Sequence, residues 1–504
     1  MSNDTDGLVP ITTALANGGT ATTRVPAYDR AKVTAGIAHI GVGNFHRVHQ
    51  GLYLDDLLAA RDDQFGWGLV GISLSGASPR ATARANAYAD QDCLYTVTAY
   101  TNDGTQNSRI VGAMVEYLNG PDDPAAVVAR LADPAIKIVS LTVTEGGYNL
   151  DEETGEFRVD DPAIVADLAR ETPETSFGVI TAALAARREA GVPPFTVMSC
   201  DNLRSNGDTA RRAVVGYANA KDPELASWIE ANVAFPNSMV DRIAPTVGAQ
   251  ARADLNQATG IADALPALTE EFTQWVLEDN FPQGRPAFED VGVQLRPDVA
   301  TFEAIKQRLL NASHMLLSYP AALSGYATVS EAGSDPAIAA VLNRFMEVDA
   351  IPFIEAPADV SLTDYMSMVV GRFANPHVPD TVLRVAHDGA SKLPVFHRNT
   401  AEKLIASGAD PRREALLLAT FRRYTNGVDD HGNSFEVLEP HLQDADWPLL
   451  KSDNPLDALS ASPFAAWGLA DSPAFVAAYQ EIVGLLENEG VPAALRYALA
   501  DADG

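Results

Sequence analysis

Residues 37–50 read IAHIGVGNFHRVHQ: an apolar strand runs straight into a Gly-x-Gly turn, and a helical pattern follows. That order describes the dinucleotide-binding turn of a βαβ unit. The first glycine, Gly41, permits the tight turn. The second, Gly43, lets the backbone approach a pyrophosphate, which then rests on the helix N-terminus. Arg47 is placed to add a charge-assisted contact. The third glycine of the usual fingerprint is missing, and His46 stands in its place. A bare Gly-x-Gly also occurs in ordinary turns. Here the strand before it and the helix behind it favour the cofactor reading, with Gly41, Gly43, Phe45 and Arg47 as the candidate contacts.

Outward from this turn the chain alternates short apolar runs with helical patterns. A helix is expected over 49–60 and a strand at 68–74 (GLVGISL). IKIVSLTVT (136–144) is a second β-branched run, and a helix over 176–190 is followed by a strand in PPFTVMSCDN (193–202). Continuous apolar strands separated by helices predict βαβ units and a parallel sheet. Residues 1–35 are polar and rich in Gly and Thr, an arm leading into the fold. After about Val291 the β-branched runs disappear. Helical periodicity dominates at 300–318, 335–346, 363–373, 411–424 and 473–487. The expected organisation is an α/β, Rossmann-type cofactor domain over 1–296 and a mostly α-helical substrate domain over 297–504. Two such domains lead to the expectation of a substrate cleft between them.

A chain of 504 residues with 46% apolar residues is long enough for two such domains. Its 67 acidic against 36 basic side chains give a formal net charge of −31. A binder of phosphate backbones needs a basic face, so nucleic acid is excluded as a partner, and an anionic membrane surface is disfavoured for the same reason. The two cysteines, Cys93 and Cys200, cannot form a disulfide framework and suit a reducing cytosol. Cys200 reads as a small buried apolar residue rather than a nucleophile. No signal peptide and no membrane-spanning run is visible, so a cytoplasmic location is expected. No Cys/His cluster has zinc spacing. His46 and His49 form HxxH without an acidic third ligand, and no metal is expected.

The end of the second strand, LSGASPR (74–80), carries no acid to hold the adenosine ribose, and none follows until Asp90. Ser75 and Ser78 can bond a ribose, and Arg80 or Arg84 can meet a 2′-phosphate. The choice between NAD and NADP therefore stays open, with NAD slightly favoured.

The stretch ATFEAIKQRLLNASHMLLS (300–318) sets Lys306, Asn311 and His314 into an apolar helix. At about 100° per residue, Asn311 lies about 140° and His314 about 80° round from Lys306. An alcohol dehydrogenase without zinc needs a base for the hydroxyl proton and donors for the developing alkoxide, and Lys, Asn and His can fill those roles. An amphipathic helix showing a polar stripe to water explains the same spacing. Lysine is scarce, seven against 29 arginines, which draws attention to Lys306.

With these pieces placed, the sequence resembles the polyol-specific long-chain dehydrogenases over roughly residues 35–490. The resemblance rests on the glycine turn with its His46-Arg47, on SLTVTEGGY (140–148), FTVMSCDNL (195–203), FPNSMVDRIAP (235–245) and QWVLEDNFPQGRP (274–286), and on K-x4-N-x2-H at 306–314. It implies metal-independent hydride transfer between a polyol or ketose and a nicotinamide cofactor. By motif, Lys306 matches the family's general base, Asn202 and Asn311 its oxyanion pair, and His314 its substrate-orienting histidine. Glu303 matches a proton-relay carboxylate, and Asp241 lies beside the substrate. Arg384 and Lys392 resemble its substrate-hydroxyl contacts, cations that would also depress the pKa of Lys306. The resemblance favours D-mannitol to D-fructose. The alternatives are arabinitol or sorbitol dehydrogenation, fructuronate or tagaturonate reduction, and a non-catalytic dinucleotide-binding regulator. A monomer would suffice. One departure stands out: where many NAD-preferring members carry an acidic pair, this chain has Gly76 and Ala77, in a loop about three residues longer.

Overall fold

The computed structural model describes residues 7–76, 78–151 and 154–500. Ala77, one of the two residues at the cofactor-selecting position, lies outside them. The chain forms two compact units. One runs up to Thr101 and over Thr105–Ala300, and the other comprises Asn102–Gly104 and the chain from Thr301 onward.

The first unit is built on five strands: β1 (Ala35–Ile40), β2 (Gly68–Ser73), β3 (Met114–Asn119), β4 (Ile138–Leu141) and β5 (Thr196–Ser199). They lie in the order β3-β2-β1-β4-β5, and every neighbouring pair is parallel. The strand order reverses between β1 and β4, and in such sheets ligands bind beyond the carboxyl ends of the strands at this switch point. The strands read as continuous apolar runs because both faces are buried. Ile37, Leu69, Ile138 and Met198 enter one core. There they meet Leu52, Leu54 and Leu58 of a helix pair, α1 (Asn44–Val48) and α2 (Gln50–Ala60). Ala38, Val70, Val139 and Val197 enter the opposite core.

The helix α3 (Pro79–Asp90) follows β2, starting from Ser78, whose hydroxyl accepts the Ala81 N–H. The helix α4 spans Ser176–Ala190, as its periodicity predicts, and ends at Gly191 in the left-handed conformation. Phe177, Ile180 and Leu184 of α4 cover the second core.

Two strand expectations shorten on folding. The run 136–144 supplies a ladder strand only over Ile138–Leu141. Beyond it the Thr142 hydroxyl donates to the carbonyl of Gly41. The run 193–202 contributes Thr196–Ser199. The polar arm is also more ordered than its composition suggests. Val9–Pro10 pairs with Ile261–Ala262, Thr23–Arg24 pairs with Ser108–Arg109, and Ile11 and Ala14 are buried. Further strands include β6 (Ser238–Asp241) and β7 (Gln274–Leu277), antiparallel, with Asp241 opposite Gln274.

In the second unit no strand is assigned among the described residues after Gln294–Leu295. Helix α5 (Val299–Lys306) leads through a π-helical turn, Gln307–Asn311, into α6 (Ala312–Leu323). All of α6 is buried except His314. Its Leu316, Leu317 and Tyr319 share one core with Leu416, Leu417 and Phe421. Four further helices matter below: α7 (Leu362–Phe373), α8 (Val382–Ala386), α9 (Gly389–Phe396) and α10 (Arg412–Tyr424). No helix among the described residues is long and apolar enough to cross a membrane.

Candidate active site

The glycine turn sits at the carboxyl end of β1. Gly41 has φ +99°, and a Cβ there would lie 2.1 Å from the carbonyl oxygen of Thr142, so the fold itself demands glycine. Gly43 differs. Its backbone is extended, and the nearest atom to a Cβ there is the Gly41 oxygen at 3.7 Å. Among the described residues nothing excludes a side chain at Gly43, so a ligand approaching the backbone closely is what would require glycine there.

His46, in the place of the third glycine, is fully buried and stacks on His39 of β1, with ring centroids 3.5 Å apart. His39 is held by the Ser140 hydroxyl at 2.8 Å and the Thr142 hydroxyl at 2.9 Å. Burial pushes the His39 imidazole down to about 3 and lowers His46 as well, so both rings are neutral at ordinary pH. His49 turns away and bonds the carbonyl of Gln274. Among the described residues no group of three or more His, Cys, Asp or Glu side chains is disposed to hold a metal ion. Phe45 stacks on His49.

Arg47 is buried. Its guanidinium donates to Asn44 Oδ1 at 2.7 Å and to the carbonyl of Leu265, and it lies over the Tyr95 ring. These bonds tie the turn to the segment after residue 260. Beside the turn lies a cavity of about 450 Å³, lined by Gly43 and Arg47, by Arg80 and Arg84 of α3, and by Arg252 among others. Ser75 is exposed beyond the end of β2, with its hydroxyl 3.1 Å from that of Ser73, and is not among the residues lining the cavity. The cavity suits a dinucleotide: it adjoins the tight turn at the switch point, and cations line it.

Beyond β5, Cys200 is buried, and burial pushes its thiol up, with the Asp201 charge adding to the effect. Asp201 accepts the Val143 and Thr144 N–H groups and the Tyr148 hydroxyl. Asn202 follows as an exposed residue, whereas Asp241 is buried at the end of β6. What joins these two strand ends is Asn206, a residue the sequence did not single out. Its side-chain amide donates to the carbonyls of Asp201 and Ser238 at 2.9 and 2.8 Å and accepts the Ser238 N–H at 2.8 Å. It reads locally as a helix-start residue, and only the return of β6 beside β5 gives it this second task.

In the second unit Glu303 and Lys306 are buried on α5. The straight α-helix expected over 300–318 is interrupted: the N–H of Ala312 donates to the carbonyl of Gln307, five residues back. A π-turn closes its hydrogen bond five residues back and winds less per residue than an α-helix, so residues five apart are less rotated from one another. Lys306 and Asn311 are therefore nearer in direction than the 140° of an unbroken helix. His314 follows within the next α-turn and stacks on Phe373 of α7 at 4.2 Å. Buried His397 braces the junction, its Nε2 on the carbonyl of Ala312 at 3.0 Å and its Nδ1 on Glu414.

Arg384, on α8, forks onto Asp380 with two bonds of 2.5 Å. Lys392, on α9, donates to the carbonyls of His387 and Val385. Burial holds the His387 imidazole below its ordinary value, and the Lys392 and Arg384 charges add to this. The start of α9 is pinned by buried Glu439, which accepts the Gly389 and Ala390 N–H groups at 2.9 Å each. Burial pushes Glu439 up to about 7 against those two bonds.

Residues 35–290 match the model of the mannitol dehydrogenase Rossmann domain, and residues 298–485 that of the mannitol dehydrogenase C-terminal domain. The chain belongs to the mannitol dehydrogenase family. It is 43% identical over 476 residues to a polyol:NADP oxidoreductase of Gluconobacter oxydans (strain 621H), covering 94% of this chain and 97% of the relative. Its fold matches a solved D-sorbitol dehydrogenase in substrate-free form with a TM-score of 0.91 at 42% identity, over 97% of this chain and 100% of that one. It matches the Pseudomonas fluorescens mannitol 2-dehydrogenase, solved in a ternary complex with NAD and D-mannitol, with a TM-score of 0.85 at 40% identity, over 97% and 98% of the two chains. As a mannitol dehydrogenase family member, the chain is an oxidoreductase, a polyol dehydrogenase that works with a nicotinamide cofactor.

Proposed function

We propose that this enzyme interconverts D-mannitol and D-fructose by metal-independent hydride transfer, with 1–296 as its cofactor domain and 297–504 as its substrate domain. The observation that carries the reading is the π-turn, which gathers Lys306 and Asn311 on a helix otherwise committed to the core. Gly41, Gly43, Phe45, Arg47 and Ser75 would hold the nicotinamide cofactor, which when bound would supply the hydride acceptor in oxidation and the donor in reduction. Lys306 takes the hydroxyl proton in oxidation and returns it in reduction. Asn202 and Asn311 donate to the oxygen as it becomes an alkoxide. His314 orients the reacting hydroxyl, and its stacking on Phe373 fixes the ring. Glu303 relays the proton, and Asp241, Arg384 and Lys392 hold the remaining hydroxyls.

A neutral polyol suits a chain of net charge −31 better than a uronate does. The sorbitol dehydrogenase relative keeps sorbitol as the second substrate reading. Both NAD and NADP fit this assignment. The chemistry needs no second subunit and no oxidising compartment, and a cytoplasmic monomer is the corresponding assignment.

The test is an assay of purified protein with mannitol, sorbitol, arabinitol and fructuronate against NAD(H) and NADP(H). Mannitol oxidation and fructose reduction at the highest kcat/KM are expected. Turnover confined to fructuronate, or absent with every pair, overturns the proposal.

A further inference from the structure

We propose that the cavity beside the glycine turn reads the 2′-phosphate of NADP through Arg80, Arg84 and Arg252, so that the enzyme prefers NADP. The inference rests on the cofactor site assigned above and adds the chemical group that the site selects.

Among the described residues, four arginines line this cavity and no aspartate or glutamate does. In a chain with 67 acidic and 36 basic side chains, such a one-signed lining is unusual. Elsewhere the arginines of this protein commonly fork onto carboxylates, as Arg285 does on Asp279 and Arg412 on Asp410. Among the described residues, the side chains of Arg80 and Arg252 make neither an ion pair nor a hydrogen bond, and that of Arg84 makes only a 3.4 Å bond to the Val42 carbonyl. Arg47 is committed to Asn44 and Leu265. Three guanidinium groups thus line one cavity with donors to spare and no carboxylate among its described lining residues.

The position selects which charge. The cavity touches Val42, Gly43 and Asn44 on one side and α3, the helix after β2, on the other. In a Rossmann sheet the end of the second strand faces the adenosine ribose. An acid there bonds the 2′-hydroxyl of NAD and repels a phosphate, whereas an arginine accommodates the 2′-phosphate. This chain has Ser75 and Gly76 beyond the strand end and Arg80 in the first turn of α3. Arginine's planar fork matches a phosphate bidentately. Arg252 arrives from a distant helix, Ala249–Thr259, so the cradle has two walls.

The test uses nucleotide fragments without nicotinamide, and calorimetry on the intact enzyme. 2′,5′-ADP (adenosine 2′,5′-bisphosphate) is expected to bind about 10- to 100-fold more tightly than 5′-AMP, which lacks only the 2′-phosphate, the worth of one charge-assisted hydrogen bond. Arg84→Ala and the double variant Arg80→Ala/Arg252→Ala should each erase most of that ratio while leaving 5′-AMP binding within a few-fold. Arg80 and Arg252 are exposed, so their replacement does not threaten folding. Wild-type protein that binds NADH and shows no preference for 2′,5′-ADP overturns this proposal and leaves the cofactor site standing. Protein that binds neither fragment and no NADH overturns the cofactor-site assignment as well.

Discussion

The N–H of Ala312 donates to the carbonyl of Gln307, and that single five-residue step sets the direction of Asn311 relative to Lys306. A regular α-helix would turn the two side chains about 140° apart. The π-turn lets one helix bury its leucines and still bring Lys306 and Asn311 nearer to one direction. Asn311→Ala is expected to lower kcat by about 10²–10³-fold, the cost of losing an oxyanion donor, with cofactor affinity unchanged. Steady-state kinetics beside NADH titration check this.

Asn206 is the clamp between β5 and β6, and so between Asn202 and Asp241. Asn206→Ala leaves buried backbone groups of Asp201 and Ser238 unpaired, at about 1–3 kcal/mol for each group left so. Chemical denaturation should show that loss, and kcat should fall although Asn206 touches no substrate. A variant as stable as the wild type would remove the clamp from the account.

Glu439 links stability to pH. Its ordinary value is 4.5 and burial raises it to about 7 in the fold. Between these values the folded protein holds a proton that the unfolded chain has released. Its contribution is therefore greatest below about 4.5, falls as pH rises to about 7 and is level above. The stability difference between wild type and Glu439→Gln should follow that course in urea unfolding from pH 4 to 8. A pH-independent difference would contradict it.

Both cysteines should resist alkylation in the native enzyme. Burial raises Cys93 to about 11 and Cys200 further. Native protein treated with iodoacetamide at pH 8 should keep its activity, and both thiols should react only after unfolding.

The strands on either side of the switch point were legible because a sheet covered on both faces writes each strand as an unbroken apolar run. β3 was not: MVEYLN is an edge strand, half-exposed, with a single neighbour. The hairpin Tyr95–Tyr100 with Gln106–Val111 escaped for another reason: its alternation of polar and apolar residues lacks the unbroken apolar run of the parallel strands, and it belongs to a second sheet. At the site, Gly41 and Gly43 were readable from their place after β1. The use of Arg47 was not, because its partner Leu265 comes from far along the chain. Arg252 had no local signal, since only the folded chain brings it to the cavity. The π-turn leaves no mark in composition, and QRLLN reads as ordinary helix. The strand end left the choice between NAD and NADP open with a slight lean to NAD, and the arginines behind the NADP proposal are gathered only by the fold.

The central claim is that Lys306 is the general base. Lys306→Ala should lower kcat for mannitol oxidation by about 10²–10⁴-fold, the usual span for losing a general base, while NADPH and NADH bind as to the wild type. Single-turnover kinetics with cofactor titration on the same preparation measure both quantities. A variant that turns over within a few-fold of the wild type would contradict the account.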